Sequence, residues 1–439
     1  MFRTTLKQIW NQRRQNGWIF FELLFVGVFL WIVLDPLCVQ IANKNIDRGY
    51  EQDGMYIVKM NKYPQTSQKY SKEIDNDSLA RLQYLDIIRE MRNLPEIESF
   101  AVAYGQAYAN SGSYNGGEIY SDTTFSNRKG LQFYFFVPVD GGDFLKTYRL
   151  KDANTGAIMT IAPDHASRNL IYISENLALM LYGHTNVVGE KCYNYNKSSQ
   201  EIGGVFKDFK DRDYNQPYPT AFTTAYFCNE IKGNPYMHYS YTFTFRVKDD
   251  VNQVTFEKRF ENEIKLKLSR GNYYCSGIQR LDITAKNMAE RFGELNSTRR
   301  NTIFAIFGLL CVFLGMVGTF WVRANARHQE IGVMRSIGAS KWRITGQFLT
   351  ESAILVTVAV IISTIIMAHY VYTNGFFADI AMLSKEMLNP EYWQNNPITH
   401  FSVISIIVYL VLLITSLIGT LIPVSRATRE LPADALHNE

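Results

Sequence analysis

The stretch ARHQEIGVMRSIGASKWRITGQFLTES, residues 326–352 of this 439-residue chain, lies between two strongly apolar runs. Residues 303–322 precede it without a charged side chain, and residues 352–372 follow it. About twenty apolar residues in an α-helix are enough to cross a hydrocarbon core about 30 Å thick. Residues 401–422 form a third such run, and residues 18–34 form a fourth that only Glu22 interrupts. The sequence therefore predicts an α-helical four-span membrane domain.

A polar block between the first two spans predicts a large α+β domain. Residues 55–60, 80–91 and 97–104 have the order strand, amphipathic helix, strand, and residues 239–247, 256–268 and 273–283 repeat that order. Two such units can pair into one split β-α-β lobe, although two unrelated α/β hairpins would give the same pattern.

Residues 108–234, which separate these units, are rich in Gly, Asn, Ser and Tyr and contain short strand-like runs. We expect them to form an inserted, mostly β lobe. Their aromatic residues are typical of sheet packing, with a hydrophobic ligand site as the alternative. Residues 283–300 predict a helix that either runs into the second span or breaks at Gly293 or at Asn296 and Ser297.

The charges of the short loops predict the orientation of the spans. Arg3, Lys7, Arg13 and Arg14 precede the first span without an acidic residue, whereas residues 373–400 carry one Lys against three acids. Basic loops face the cytoplasm, so both termini are expected to be cytoplasmic in an inner-membrane, multi-pass protein. The first run exceeds the roughly 7–15 apolar residues of a signal peptide, so we expect it to be retained.

These arguments give nine predicted segments. They are a cytoplasmic N-terminus (1–17), a first span (18–43), an extracytoplasmic domain (44–300, with the inserted lobe at about 108–234), a second span (301–322), a cytoplasmic loop (323–347), a third span (348–372), a short extracytoplasmic loop (373–400), a fourth span (401–422) and a cytoplasmic C-terminus (423–439).

The cysteines and the missing motifs argue against catalysis by this chain. Cys192, Cys228 and Cys275 lie in the exported block, so at most one intramolecular disulfide is expected there. Cys38 and Cys311 lie in or beside spans and are predicted to pack as small apolar residues. The sequence shows no CxxC, no GxxxxGK[ST], and no GxSxG or HExxH. We therefore expect no metal, no cofactor and no enzymatic activity of its own.

The opening stretch itself predicts a short amphipathic helix over residues 323–337. Ile331 and Met334 are apolar, and charged residues alternate with them. Gly338 is placed to end this helix, and Ser340 is placed to cap the next one. From these residues alone, a helix lying on an anionic lipid surface is one possible interpretation.

The same stretch closely resembles the cytoplasmic loop of the FtsX/MacB superfamily of ABC transporter permeases, R-x-x-E-I-G-x-x-R-A-x-G-A-S followed by F-L-x-E. The matching residues are Arg327, Glu330, Ile331, Gly332, Arg335, Gly338, Ala339, Ser340, Phe348, Leu349 and Glu351, and Ser336 departs from the usual Ala. The tail resembles the family's P-x-x-x-A…P-x-x-A-L pattern through Pro423, Ala427, Pro432, Ala435 and Leu436. Residues 169–183, 188–189 and 202–210 look like the extracytoplasmic domain of MacB-type members, and residues 108–168 are the weakest part of the resemblance.

The resemblance implies that this loop is a coupling helix seated in a groove of a cytoplasmic ABC ATPase dimer, which binds ATP and Mg. The ATPase-coupling residues would be Arg327, Glu330, Ile331, Gly332, Met334, Arg335, Gly338 and Ala339. Ile331 and Met334 would fill the groove, and Glu330 and Arg335 would set the register through ion pairs. The spans would carry the motion to the exported domain and drive efflux by mechanotransmission.

The resemblance also implies further partners. The permease would form a homodimer, or a heterodimer with a similar permease, and a periplasmic adaptor is a further candidate; no nucleic-acid partner is expected. Two alternatives stay open. One is a lipoprotein-releasing or cell-wall-hydrolase-regulating permease of the same superfamily, and the other is a four-span membrane sensor without ATP turnover.

Two acidic residues and two glycines in the spans are further candidates. Glu351 is predicted to form a hinge-side ion pair, and Glu22 is predicted to reach the membrane interface or to pair with a nearby Arg. Gly308 and Gly315 belong to a stripe of small residues that lets helices approach closely. Whether that stripe packs within one chain or between two copies does not follow from the sequence.

Overall fold

The computed structural model describes residues 13–104, 115–125, 128–136, 141–194, 196–224, 241–378, 389 and 391–428. The chain divides into two compact units. The first, here the membrane unit, comprises Met1–Ala42, Leu295–Met382 and Pro390–Glu439. The second, here called the exported unit after its predicted location, comprises Asn43–Glu294 and Leu383–Asn389.

The helices vary from single turns to membrane-spanning length. In chain order they are α1 (Arg13–Asn45), α2 (Asp77–Arg92), α3 (Phe144–Thr147), α4 (His165–Arg168), α5 (Glu175–Tyr182), α6 (Gln253–Arg259), α7 (Lys265–Lys267), α8 (Leu281–Arg291), α9 (Glu294–Ala326), α10 (His328–Ser336), α11 (Lys341–Asn374) and α12 (Pro397–Ala427), with a π-turn at Phe260–Ile264 and a 3-10 turn at Trp393–Asn395.

Four of these helices, α1, α9, α11 and α12, are long and apolar enough to cross a membrane. They extend beyond the predicted spans because helical structure continues into the flanking polar residues. α9 begins at Glu294, so Asn296 and Ser297 do not interrupt it. Gly293, with φ 74°, separates it from α8, as one of the two predicted alternatives required.

The strands of the exported unit form one continuous sheet. They are β1 (Met55–Lys62), β2 (Ile97–Tyr104), β3 (Asn115–Tyr120), β4 (Arg128–Phe136), β5 (Leu170–Ser174), β6 (Lys191–Tyr193), β7 (Ser199–Phe206), β8 (Thr220–Thr224), β9 (Tyr241–Val247), β10 (Ser269–Arg270) and β11 (Tyr273–Arg280). Their spatial order is β10-β11-β1-β9-β2-β4-β3-β6-β7-β5-β8, and β4 also pairs with β8.

Strands β11, β1, β9 and β2 are antiparallel neighbours, and helices α2 and α6 pack on them. The predicted apolar faces of both helices are buried in this core. The α2 residues are Ala80, Tyr84, Ile87, Ile88 and Met91, and Phe256, Phe260, Ile264 and Leu268 come from the second helical segment. The period-3.6 patterns therefore identified the buried faces correctly.

The segment between the two strand–helix–strand repeats continues the same sheet instead of forming a separate layer. β4 pairs with β2 through Ala103 and Phe136, and the strands from β4 to β8 then close into a six-stranded ring. The ring closes because β8 pairs antiparallel with β5 and parallel with β4. Three aromatic residues of this region, Phe144, Phe206 and Phe222, are buried packing residues.

A short polar segment holds the end of α1. The Lys210 ammonium donates to the backbone carbonyls of Asn43 (2.7 Å) and Ile46 (3.0 Å), and Arg48 pairs with Asp213 at 2.8 Å. Gly49, with φ 76°, allows the Asp208 carbonyl to lie where a Cβ would stand. Burial lowers the pKa of Lys210 to about 8.

Cys192 and Cys275 are free, buried thiols in different clusters of the core, so they do not pair with each other. Burial raises the pKa of Cys192 to about 12 and that of Cys275 to about 11. Cys228 lies outside the described residues, and the limit of one disulfide stays a prediction. Cys311 is exposed on α9, so its predicted packing is not seen within this chain.

Candidate functional site

Helix α10 is separated from both neighbouring membrane helices by defined breaks. The predicted helix over residues 323–337 is wrong in its bounds: α9 continues to Ala326, and α10 begins after Arg327. The Ser340 hydroxyl accepts a hydrogen bond from the backbone N–H of Arg343, which confirms the predicted cap of α11. The result is a nine-residue helix, His328–Ser336, whose N-cap residue Arg327 makes no side-chain capping bond.

The turn after α10 has the hydrogen bonds of a Schellman motif. The N–H of Ala339 donates to the carbonyl of Met334 at 2.9 Å, and that of Gly338 donates to the carbonyl of Arg335 at 3.1 Å. Gly338 has φ 92°, in the region where an L side chain is strained. The predicted helix end at Gly338 is confirmed, and the turn fixes the direction in which α11 leaves.

A buried ionic cluster joins α9, α10 and α11. Arg323 Nη1 donates to Glu351 Oε1 at 2.7 Å, and the two side chains are only 3% and 1% exposed. Arg327 donates to Glu330 at 2.9 Å, and its Nη1 lies 4.0 Å from Glu351 Oε2. The predicted ion pair of Glu351 is therefore present, and Arg323 is the partner.

Two aromatic rings cover this cluster. The Arg323 guanidinium lies 5.2 Å from the Phe320 ring centre, and that of Arg327 lies 5.0 Å from the Phe348 ring centre. Cations over aromatic faces are attracted by the ring quadrupole. Glu351 itself is only 1% exposed, and this burial strengthens its interaction with both arginines.

Arg335 contacts the C-terminal end of α12. Its Nη1 donates to the backbone carbonyl of Thr428 at 2.7 Å, just beyond the end of α12. The C-terminal carbonyls of α12 attract the guanidinium, and the predicted ion pair of Arg335 with the ATPase stays a prediction. Arg335 thus connects α10 to the fourth membrane helix.

The buried and exposed apolar side chains in and next to α10 are not the ones that the sequence predicted. Ile331 is only 2% exposed and belongs to the core of the membrane unit, and Met334 is partly buried against that core. Ile331 cannot fill a partner's groove, because its side chain already packs within its own chain. Val333, Ile337 and Trp342 are instead exposed, by 49%, 79% and 81%.

The remaining predicted residues of the loop are structural. Gly332 is buried, and Ala339 packs against the core next to Met334. Glu330, with 66% of its side chain exposed, is a predicted coupling residue that solvent reaches freely. The outward surface of this region, here the docking surface, comprises Glu330, Val333, Ile337 and Trp342.

Gly308 and Gly315 pack within the chain. A Cβ on Gly308 would stand 3.1 Å from the Phe29 ring, and one on Gly315 would collide with the Glu22 carboxylate. Both glycines therefore allow α9 to approach α1. Glu22 is half-buried against Gly315, and in the described part of the chain it makes no ion pair, so the predicted pairing with an Arg is not seen.

The sequence patterns missed one pair at the other end of the membrane helices. His400 Nε2 and Asp35 Oδ1 are 2.5 Å apart, and both side chains are fully buried. The two residues are 365 positions apart, so no local spacing connects them. The available signal was an acidic residue next to Pro36 at the end of an apolar run.

Comparisons with known proteins agree with the geometry of this region. Residues 302–432 match the family model described as FtsX-like permease C-terminal. The macrolide export ATP-binding/permease protein MacB of Aggregatibacter actinomycetemcomitans is 24% identical over 207 residues, covering 46% of this chain and 30% of that protein. The uncharacterized ABC transporter permease YclI of Bacillus subtilis is 24% identical over 167 residues, covering 36% of this chain and 33% of that protein.

A MacB of Campylobacter jejuni is 21% identical over 319 residues, or 70% of this chain and 43% of that protein. Among solved structures, the periplasmic region of MacB from Actinobacillus actinomycetemcomitans aligns with 14% identity and a TM-score of 0.32, covering 56% of this chain and 96% of that one. The chain spans about a third of the length of the first curated relatives. Residues 302–432 thus match the FtsX-like permease C-terminal model, and the chain is similar to MacB-type ABC transporter permeases over up to 70% of its length.

Proposed function

We propose that this chain is the permease subunit of an ABC transporter that couples ATP hydrolysis by a separate cytoplasmic ATPase dimer to movement of its exported unit. In this proposal ATP and Mg bind to the ATPase, and α10 with the start of α11 is the contact. The MacB relatives are named for an ATP-binding and a permease role together. Here we assign the ATP-binding role to a partner polypeptide.

One observation supports this proposal most: the docking surface is apolar yet rigidly held. Ile337 and Trp342 flank the Schellman turn and stand in solvent, where apolar side chains of this size are otherwise unfavourable. Behind them, the Arg323–Glu351 pair and the Arg335–Thr428 contact fix α10 to α9, α11 and α12. A displacement of the docking surface would therefore be transmitted to three membrane helices, α9, α11 and α12.

Substitutions on the docking surface test the contact. Val333→Asp and Ile337→Asp each place a charge in the proposed interface, and a buried unpaired charge typically costs about 2–5 kcal/mol. That corresponds to a loss of about 30-fold or more in ATPase copurified with the full-length permease. Val254→Asp is the matched control, because Val254 is similarly exposed but lies on α6 of the exported unit.

The outcome is decided by comparing the three variants in one detergent. Loss of ATPase in Val333→Asp and Ile337→Asp, with normal ATPase in Val254→Asp, supports the assignment. Wild-type ATPase levels in both docking variants would refute it, and the lipid-surface interpretation of α10 would replace it. Met334→Asp is less informative, because Met334 also packs against the core of its own chain.

Export is the proposed result of this coupling, with N- and C-termini in the cytoplasm and a second permease copy, identical or similar, completing the membrane assembly. A periplasmic adaptor would be a further partner. A deletion strain should become more susceptible to macrolides or antimicrobial peptides, and complementation should restore resistance. Unchanged susceptibility together with missorted lipoproteins would instead favour a lipoprotein-releasing permease.

A further inference from the structure

Glu22 of α1 is a carboxylate that, among the described residues, has no polar partner. It packs on the backbone of α9, since a Cβ on Gly315 would collide with its oxygens. In the part of the chain that the structure describes, Glu22 makes no hydrogen bond and no ion pair. Gly315 precedes Arg323 by eight residues, so about 12 Å of apolar helix separates Glu22 from the nearest charge on α9.

A second copy of this chain does not supply the missing cation at this depth. Lys and Arg are absent from the four apolar runs, which are residues 18–34, 303–322, 352–372 and 401–422. An ionisable side chain in a membrane-spanning helix is costly unless it is paired, and such side chains commonly mark binding sites. A positive charge beside Glu22 must therefore come from a different molecule.

Aromatic side chains flank Glu22 on α1. Trp18 lies four residues before it and Phe25 three residues after it, a spacing that places all three side chains on one side of the helix. Trp18 is 77% exposed, Phe25 is 69% exposed and the adjacent Phe21 is 57% exposed. Aromatic faces attract organic cations and also pack on apolar groups.

These features fit an organic cation better than a metal ion. Calcium and magnesium take several oxygen ligands, whereas Glu22 offers a single carboxylate. Among the described residues, no group of three His, Cys, Asp or Glu side chains could hold a metal ion. A carboxylate beside exposed rings instead complements a positive charge that is attached to an apolar body.

We infer that Glu22 and the aromatic side chains beside it form a binding site for an amphiphilic organic cation. The Glu22 carboxylate pairs with the charged centre of the ligand, and Trp18, Phe21 and Phe25 contact its apolar part. Gly315 provides the space that the carboxylate occupies. Such a ligand partitions into lipid and reaches the exposed rings from the side of α1. The site is independent of the ATPase contact proposed for the docking surface.

The test is binding of radiolabelled tetraphenylphosphonium, a cation with four apolar rings, to the full-length chain in uncharged dodecylmaltoside micelles. Specific binding is the part that excess unlabelled probe displaces. Glu22→Gln should weaken the affinity at least about tenfold, because the amide keeps the shape of the side chain and loses its charge. Glu290→Gln is the matched control, since Glu290 is an exposed carboxylate on α8, and its affinity should equal that of wild type.

Two further measurements keep the test decisive if Glu22→Gln does not fold. Phe25→Leu keeps an apolar side chain but removes the aromatic face, so it should weaken binding about threefold. Phe307→Leu, at a similarly exposed Phe of α9, should have no effect. Wild type should also bind tetraphenylborate, which has the same four rings around a negative charge, at least about tenfold more weakly than the cation.

Three results would overturn the inference. The first is the absence of specific binding to wild type. The second is equal affinity of wild type and Glu22→Gln, or of cation and anion for wild type, because the rings alone would then explain the binding. The third is displacement of the probe by phosphatidylethanolamine added to the micelles, which would assign Glu22 to a lipid headgroup.

Discussion

Removal of Glu351 should destabilise the membrane unit more than removal of its partner Arg323. Glu351→Leu would leave the Arg323 guanidinium buried without its carboxylate and would also remove the buried carboxylate that lies 4.0 Å from Arg327. Arg323→Met would leave Glu351 with Arg327, whose Nη1 is already 4.0 Å away. The two substitutions should therefore lower the free energy of unfolding by different amounts, although they break the same ion pair.

The magnitudes follow from the burial of the pair. Breaking a buried ion pair by removing one partner typically costs about 3–5 kcal/mol, and we expect Glu351→Leu in this range. Arg323→Met should cost about 1–3 kcal/mol, because Arg327 can move towards Glu351 and restore part of the interaction. The double variant should be less destabilised than Glu351→Leu alone, since it leaves neither charge of the pair buried and unpaired.

The assay is unfolding of the full-length chain by SDS in dodecylmaltoside micelles, followed by tryptophan fluorescence. Thr350→Val, next to Glu351 but outside the cluster, provides a control for substitution in the same turn of α11. If Arg323→Met were more damaging than Glu351→Leu, Arg327 would not act as the reserve partner. A loss below about 1 kcal/mol for Glu351→Leu would show that the pair is not desolvated.

Three further predictions concern a turn, a buried lysine and the topology. Gly338→Ala should destabilise the α10–α11 turn by about 1 kcal/mol, because Gly338 has φ 92°, whereas Gly346→Ala inside α11 should be neutral or stabilising in the same unfolding assay. The pKa of Lys210 is lowered to about 8, so above that pH the folded state binds fewer protons than the unfolded state. The free energy of unfolding should therefore rise between pH 8 and 9.5 by up to about 1.4 kcal/mol per pH unit. Lys210→Met should lose this rise when unfolding is measured by chemical denaturation. A cysteine introduced at Asn154 should react with an impermeant maleimide on intact cells, and one at Lys341 should not; the reverse pattern would contradict the proposed orientation.

Periodicity and local chemistry predicted the elements of this fold well. The apolar runs identified the four long helices, and the i, i+4, i+7 spacing identified the buried faces of α2 and α6. Gly338 and Ser340 were correctly placed, because a left-handed residue and a cap depend on the nearest few residues only. Local rules predict local structure.

The same rules could not predict which side of α10 faces its own chain. Ile331 and Val333 are both apolar, and their positions on the helix surface differ by about 200°. Only the neighbouring membrane helices decide that Ile331 is buried while Val333 is exposed. The sheet connection between β2 and β4, and the closing pair β4–β8, likewise depend on contacts between distant strands.

The buried polar pairs between the membrane helices could be predicted only in part: Glu351 was expected in an ion pair, but its partner and the Asp35–His400 pair were not. Helices in lipid gain little from apolar association, so close packing and polar contacts between helices determine how they align. Arg323–Glu351 aligns α9 with α11, and Asp35–His400 aligns α1 with α12. Each long helix therefore contributes one residue to one of two buried pairs. Because the two pairs share no residue, their variants should act additively on unfolding, and strong non-additivity would mean that the four helices unfold through a single coupled contact.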